Sequence, residues 1–260
     1  MKDRLVGSRR EWMLSLARLA PIASLMSWPN SGSSAAFDGR ATGTAATWKG
    51  LSFPRDFGAH LDARIEWWYI TGHLTVGDAS PAEFKGREYG FQITFFRSRT
   101  ALADRDKPGV RSRLSAPQLL FAHAALTDVQ AGKLHHAERL SRWNGQAAAS
   151  SPGTGAAGFT AASASTHDTA LQLDRWQLQR MASADQSSTY RARWDDADAG
   201  FALDLELQAT QPVLLQGRQG LSAKSPLPDH FSHYYSQPQL RTTGELRVAG
   251  QRLKVQGRAW

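Results

Sequence analysis

Glu66-Trp67-Trp68-Tyr69 reads as the middle of a β-strand: three large aromatic side chains in a row suit a pleated, half-buried surface better than a helix. With a side-chain period of two, Glu66 and Trp68 share one face while Trp67 and Tyr69 share the other, so both faces carry a large aromatic. The same period runs through Phe201-Ala202-Leu203-Asp204-Leu205-Glu206-Leu207-Gln208, where the large apolar residues all fall on odd positions and mark one dry face. Leu246 and Val248, then Ala249-Gly250-Gln251, then Leu253 and Val255 give two alternating runs joined by a short glycine-containing turn, the pattern of a hairpin. Further strands are expected near 65–76, 88–98, 118–128, 170–179 and 188–195. Many short antiparallel strands with little helical periodicity predict an all-β fold, a closed barrel or sandwich, since closure removes exposed edges. Residues 145–169, dominated by Ala, Ser, Gly and Thr, and Thr100 to Pro117, charged and containing Pro108-Gly109, read as long loops.

The 260 residues, 41% of them apolar, are enough to bury a core. The chain has no cysteine, which excludes disulfides, thiolate metal sites and a cysteine nucleophile. Formal net charge is +8, of which residues 1–36 supply +3, leaving +5 scattered among acids and giving little support to nucleic acid as a partner. Ser8-Arg9-Arg10-Glu11-Trp12-Met13-Leu14 is a paired arginine followed by an apolar run to Met26, and Ser34 with Ala36 supplies an A-x-A-like cleavage region. Residues 1–36 are therefore expected to be a twin-arginine signal, read by that export machinery and directing the chain to the bacterial periplasm or beyond. The run is shorter than the roughly 20 residues a span needs and holds Arg18 and Pro21, so no stable membrane span is expected after its removal. Residues 37–47 read as a linker and 48–260 as the β domain.

Several residues could carry chemistry. Glu66 beside Trp68 in a barrel interior would be a desolvated carboxyl suited to acid/base work, although a structural Glu bonded to Arg fits the same pattern. Gly90 to Arg97 places Gln92, Thr94 and Phe96 on one side, a mixed polar and aromatic face suited to a cavity wall. His123 stands alone in the apolar strand Phe121 to Asp128, as a satisfied core histidine or a proton carrier. Asp229-His230-Phe231-Ser232-His233-Tyr234-Tyr235 is the densest polar-aromatic cluster, but its H-x-x-H spacing lacks a third ligand and the helical register of a zinc motif, so no metal is expected. No G-x-S-x-G, P-loop or G-x-G-x-x-G is present, leaving the common serine hydrolases and nucleotide enzymes without support.

Glu66-Trp67-Trp68-Tyr69 to Gly72-His73-Leu74, the strand Gly90 to Arg97, and His123 to Asp128 together resemble the carotenoid 1,2-hydratase and AttH-like family of lipocalin-related proteins. Leu215-Gln216-Gly217 with Gly220, Lys224-Ser225 and Tyr234-Tyr235-Ser236-Gln237-Pro238 to Leu240 extend the resemblance over about residues 48–260. It implies a lipocalin-like antiparallel barrel, the first of two such domains. Many relatives are known only as secreted hydrolases, and hydratase members add water to a terminal double bond of an acyclic carotenoid without metal or organic cofactor. On that reading an apolar lipid or polyene is the ligand, Trp67, Trp68, Tyr69, Gln92, Phe96 and Tyr235 supply its walls, and Glu66 and His123 are the interior proton-transfer candidates. A non-catalytic periplasmic lipid-binding or lipid-handling module is the alternative. In the family an Asp-His-Glu-Trp-type segment with acid/base residues follows the equivalent of Trp260, so the sequence reads as a first domain cut short at its C-terminus.

Overall fold

The chain divides into two compact units, residues 1–38 and 39–260. A computed structural model describes residues 48–100, 116–143, 145, 162–182, 187–226 and 230–260, all within the second unit. The expected signal, linker, cleavage region and most of both long loops lie outside the described residues.

Eleven strands form one antiparallel sheet. In chain order they are β1 (Ile65–Val76), β2 (Glu88–Arg99), β3 (Gln118–Asp128), β4 (Lys133–Trp143), β5 (Ala162–Ala164), β6 (Ala170–Leu173), β7 (Trp176–Ala182), β8 (Ser188–Asp196) and β9 (Phe201–Gln208). Between β9 and the last hairpin come four short strands, β10 (Leu214–Leu215), β11 (Leu221–Ala223), β12 (Phe231–His233) and β13 (Tyr235–Ser236), pairing as β10-β13 and β11-β12. The hairpin itself is β14 (Leu240–Val248) and β15 (Gln251–Ala259). The sheet runs β4-β3-β2-β1-β15-β14-β9-β8-β7-β6-β5. Its two edges, β4 and β5, come back into contact, making a nearly closed barrel.

The strand alternation is visible throughout the burial. Phe201, Leu203, Leu205 and Leu207 all point inward, as their odd positions predict. Ala249 (φ 50°) and Gly250 (φ 74°) both adopt the left-handed backbone of a two-residue hairpin turn between β14 and β15. The expected strand at 170–179 is two strands, because Asp174 turns the chain in the left-handed region (φ 58°). The expected loop over 145–169 ends in the short strand β5.

Inside the barrel, Trp176, Trp194, Phe95, Phe201, Leu74 and Ile93 are fully buried and pack the bore with side chains. β1 and β15 approach most closely where two glycines stand: a Cβ on Gly257 would lie 1.9 Å from the His73 carbonyl oxygen, and one on Gly72 would lie 2.4 Å from that of Arg258. β15 pairs with β1 only from Gly72 to Val76, with Thr71 and Trp260 exchanging backbone hydrogen bonds at the end of the ladder (2.9 and 2.8 Å).

Candidate active site at one end of the barrel

The segment before β1 enters through a 3-10 turn, Arg55–Phe57, and lies across the barrel end. Phe57 is its anchor. The buried Trp68 Nε1 and Thr169 Oγ1 both donate to the Phe57 carbonyl at 3.0 Å, and the Arg180 guanidinium stacks 4.1 Å over its ring. Phe57 and Ala59 are buried, so this short segment belongs to the core.

Anchoring it brings Asp56 and His60 to the base of β1. His60 Nδ1 lies 2.6 Å from Glu66 Oε1, and Nε2 lies 2.9 Å from Asp56 Oδ1. A carboxyl group at each ring nitrogen favours the form with hydrogen on both, the imidazolium. The hydrogen bond to Glu66 is the main cause that holds His60 above the usual histidine pKa; burial works against it, and Asp56 adds to the rise. The Glu66 oxygens also accept from the His60 backbone amide at 2.9 Å and from Arg97 Nε at 2.6 Å. Arg97 is wholly buried and spends its remaining donors on Gln118 Oε1 (2.6 Å) and the carbonyls of His60 and Ala63 (both 2.7 Å). A guanidinium inside a barrel is tolerated only when its donors find such partners.

Facing His60 across 6.5 Å between ring centroids is His233, at the end of β12. Trp48 stacks flat on it (4.2 Å, 16°), held by a 3.2 Å bond from its Nε1 to the Gln219 carbonyl. Desolvation, and after it the charge of His60, pushes His233 below the usual histidine pKa. Two neighbouring imidazoles are thus driven in opposite directions.

Aromatic rings lie beside His233 and, as a separate group, around the Phe57 anchor. Phe231 lies 5.9 Å from His233, and Tyr235 meets Phe53 and Phe57 edge-on at 5.2 and 5.4 Å. Burial raises the Tyr235 hydroxyl above the ordinary phenol range. Deeper in, Arg180 donates to Asp168 and Ser188 at 2.7 Å each, and the Tyr190 hydroxyl, pushed up by burial to about 12, donates to Gln237.

Of the residues singled out from sequence, Glu66, Trp68 and Tyr235 belong to this end of the barrel, as do Phe231 and His233 of the polar-aromatic cluster. Glu66 faces inward with Trp68, as a carboxylate bonded to Arg97 and His60, which is the structural alternative the sequence left open beside the acid/base one. His123 is not an interior group. It faces outward on β3, 3.7 Å from Glu138 and against the rings of Phe96 and Phe121, on the opposite side of the sheet from Glu66. Trp67, Tyr69, Gln92 and Phe96 also face outward, so the mixed polar and aromatic side of β2 is barrel exterior rather than cavity wall. A filled bore calls for large apolar side chains, and Phe91, Ile93 and Phe95 provide them, with Arg97 at the end of the same face. Asp56, His60 and Trp48 escaped the sequence reading because they lie ahead of the strand pattern; the Asp56 to His60 spacing behind Pro54 was the available signal. Among the described residues, no group of three or more His, Asp or Glu is placed to hold a metal ion.

Residues 44–260 match the profile of the AttH-like family. A search of curated proteins gives no match. The crystal structure of a candidate AttH from Nitrosomonas europaea is similar, with 36% identity over 82% of this chain and a TM-score of 0.61. The matched part is 54% of that protein, so the chain spans about half the length of its solved relative. With the profile covering nearly the whole described barrel, including both strands that carry Glu66 and Arg97, the chain belongs to the AttH-like family.

Proposed function

We propose that this barrel binds an apolar lipid or polyene across the aromatic mouth formed by Trp48, Phe53, Phe231 and Tyr235, and that His60 and His233 carry out acid-base chemistry there. The observation that carries this reading is the opposed pair: a protonated His60 and a neutral His233 in one site, the arrangement from which acid and base roles follow. His233 is suited to accept a proton from an attacking water. His60 is suited to return one through Nε2, the nitrogen on the weaker Asp56 contact. Glu66 holds Nδ1 and is a positioning residue, itself fixed by Arg97.

Acid strength chooses between the two reaction types that the family resemblance suggests. An imidazolium, with a reference pKa near 6.5, is far too weak to protonate an unactivated alkene, whereas activating water against an ester lies within the range of a neutral imidazole such as that of His233. Hydrolysis is therefore the better reading for these residues, and hydration would require a stronger acid. The packed bore and the double carboxylate grip on His60 favour a second reading, a lipid-handling module without turnover.

Titrating the full chain with a short polyene while following tryptophan emission tests the mouth. Quenching should weaken in Trp48→Phe and persist in Trp67→Phe; a response lost only in Trp67→Phe would remove the site from the mouth. Ester hydrolysis that survives both His60→Gln and His233→Asn would leave only the binding reading. We propose further that Arg9-Arg10 directs the chain through the twin-arginine route to the periplasm or beyond. Replacing both by lysine should stop delivery, and unchanged delivery would contradict that route.

A further inference from the structure

The exterior of the barrel is two-sided. Across β8, β9, β14 and β15 it is a charged ladder: Arg191 and Arg193 reach Asp204 at 3.1 and 3.2 Å, Arg247 reaches Asp195 at 2.6 Å and Lys254 reaches Glu245 at 3.3 Å. Across β1 to β4 it is mixed, with Gln92, Thr94 and His123 on the same side, but it carries one apolar row. The strand register lines up Trp67, Phe96, Phe121 and Leu140 in one row over four strands, with Ile65 and Tyr69 on either side of Trp67. Phe96 and Phe121 stack at 4.7 Å and 11°, while Trp67, Tyr69 and Leu140 remain 49%, 48% and 65% exposed.

Such a face calls for an occupant, and its size and chemistry select one. Four strands about 4.8 Å apart, with three alternate positions along each, make a patch on the order of 300 Å². A stable protein interface buries about 800 Å² on each partner, and two convex barrels touching here would fall well short. A fluid lipid surface has no such requirement, because it moulds itself around individual rings. Half-exposed Trp and Tyr, apolar in body and polar at the tip, are the side chains that settle at a lipid headgroup boundary. The chain as a whole carries a formal net charge of +8, which favours an anionic over a zwitterionic surface.

We infer that the outer face of β1 to β4 docks the barrel on an anionic phospholipid surface, with Trp67 and Tyr69 entering the headgroup region. This goes beyond the acid-base reading and stands whether or not His60 and His233 turn over a substrate.

The test uses the full chain with vesicles of brominated phosphatidylcholine containing a minority of phosphatidylglycerol, read by sedimentation and by bromine quenching of tryptophan. Binding should exceed that to phosphatidylcholine alone and should fall as salt is raised. Trp67→Ser with Tyr69→Ser should reduce the vesicle partition coefficient by at least about tenfold while the melting transition is kept. If that pair does not fold, Leu140→Glu, at the most exposed position in the row, should lower the same partition. The apolar run of residues 14–26 is identical in all variants, so binding that survives both changes would assign it to that run and overturn the inference. Absence of binding by the unaltered chain would overturn it too, as would a wild-type oligomer that dissociates in the Trp67/Tyr69 variant, since that would assign the face to protein.

Discussion

At the residue scale, the site turns on two histidines with opposite preferences. His60 has a folded pKa raised above its free value, chiefly by the bond to Glu66. Its contribution to stability is therefore fully present below about pH 6.5 and is lost as pH rises through the folded value. His233 has a folded pKa lowered by desolvation and by the charge of His60. Its neutral form fits the fold, so stability declines as pH falls from about 6.5 toward the lowered value. Thermal melting followed across pH should show both limbs. His60→Gln is expected to flatten the alkaline limb, and His233→Asn the acid one; an unchanged alkaline limb in His60→Gln would disprove the imidazolium clamp. Glu66 was legible from the sequence as an inward carboxylate, because the strand period fixes its face. Its partners were not: Arg97 stands 31 residues away, and only the β1-β2 register sets the two opposite each other.

At the scale of elements, the alternation that identified Phe201 to Gln208 worked because its dry face is uniformly large and its wet face small or polar. β4 shows the converse. Lys133, His135, His136, Glu138, Arg139 and Arg142 conceal a strand whose buried side chains are only Ala137 and Trp143. On β2 the alternation was readable but its sense was not, since either of two aromatic-bearing faces could have turned inward until the packing of the bore selected the one with Phe91, Ile93 and Phe95. The β1-β15 contact depends on what is missing from two side chains. Gly257→Ala would drive a methyl group into the His73 carbonyl, and overpacking of this kind costs about 1–3 kcal/mol. Chemical denaturation should show that loss with an unchanged m-value, whereas Gly250→Asn, in a turn with open space around it, should cost much less.

At the scale of the whole molecule, the barrel separates its tasks by surface. The bore is structural, one end carries the paired imidazoles, one flank is charged and another carries a row of apolar side chains. Family membership was readable from short motifs spread over several strands. The grouping of the two imidazoles at one end of the barrel was not, because Trp48 and His60 come from one end of the described chain and Phe231 and His233 from near the other.

The short ladder between β1 and β15, Gly72 to Val76 against Val255 to Ala259, is where the β1 to β4 half of the sheet hydrogen-bonds to the remaining strands. It joins the first long strand of the described chain to the last, a contact of far greater sequence separation than the hairpins on either side of it. The loop-closure cost of such a contact makes it the ladder expected to form last when the barrel folds, after the local hairpins that flank it.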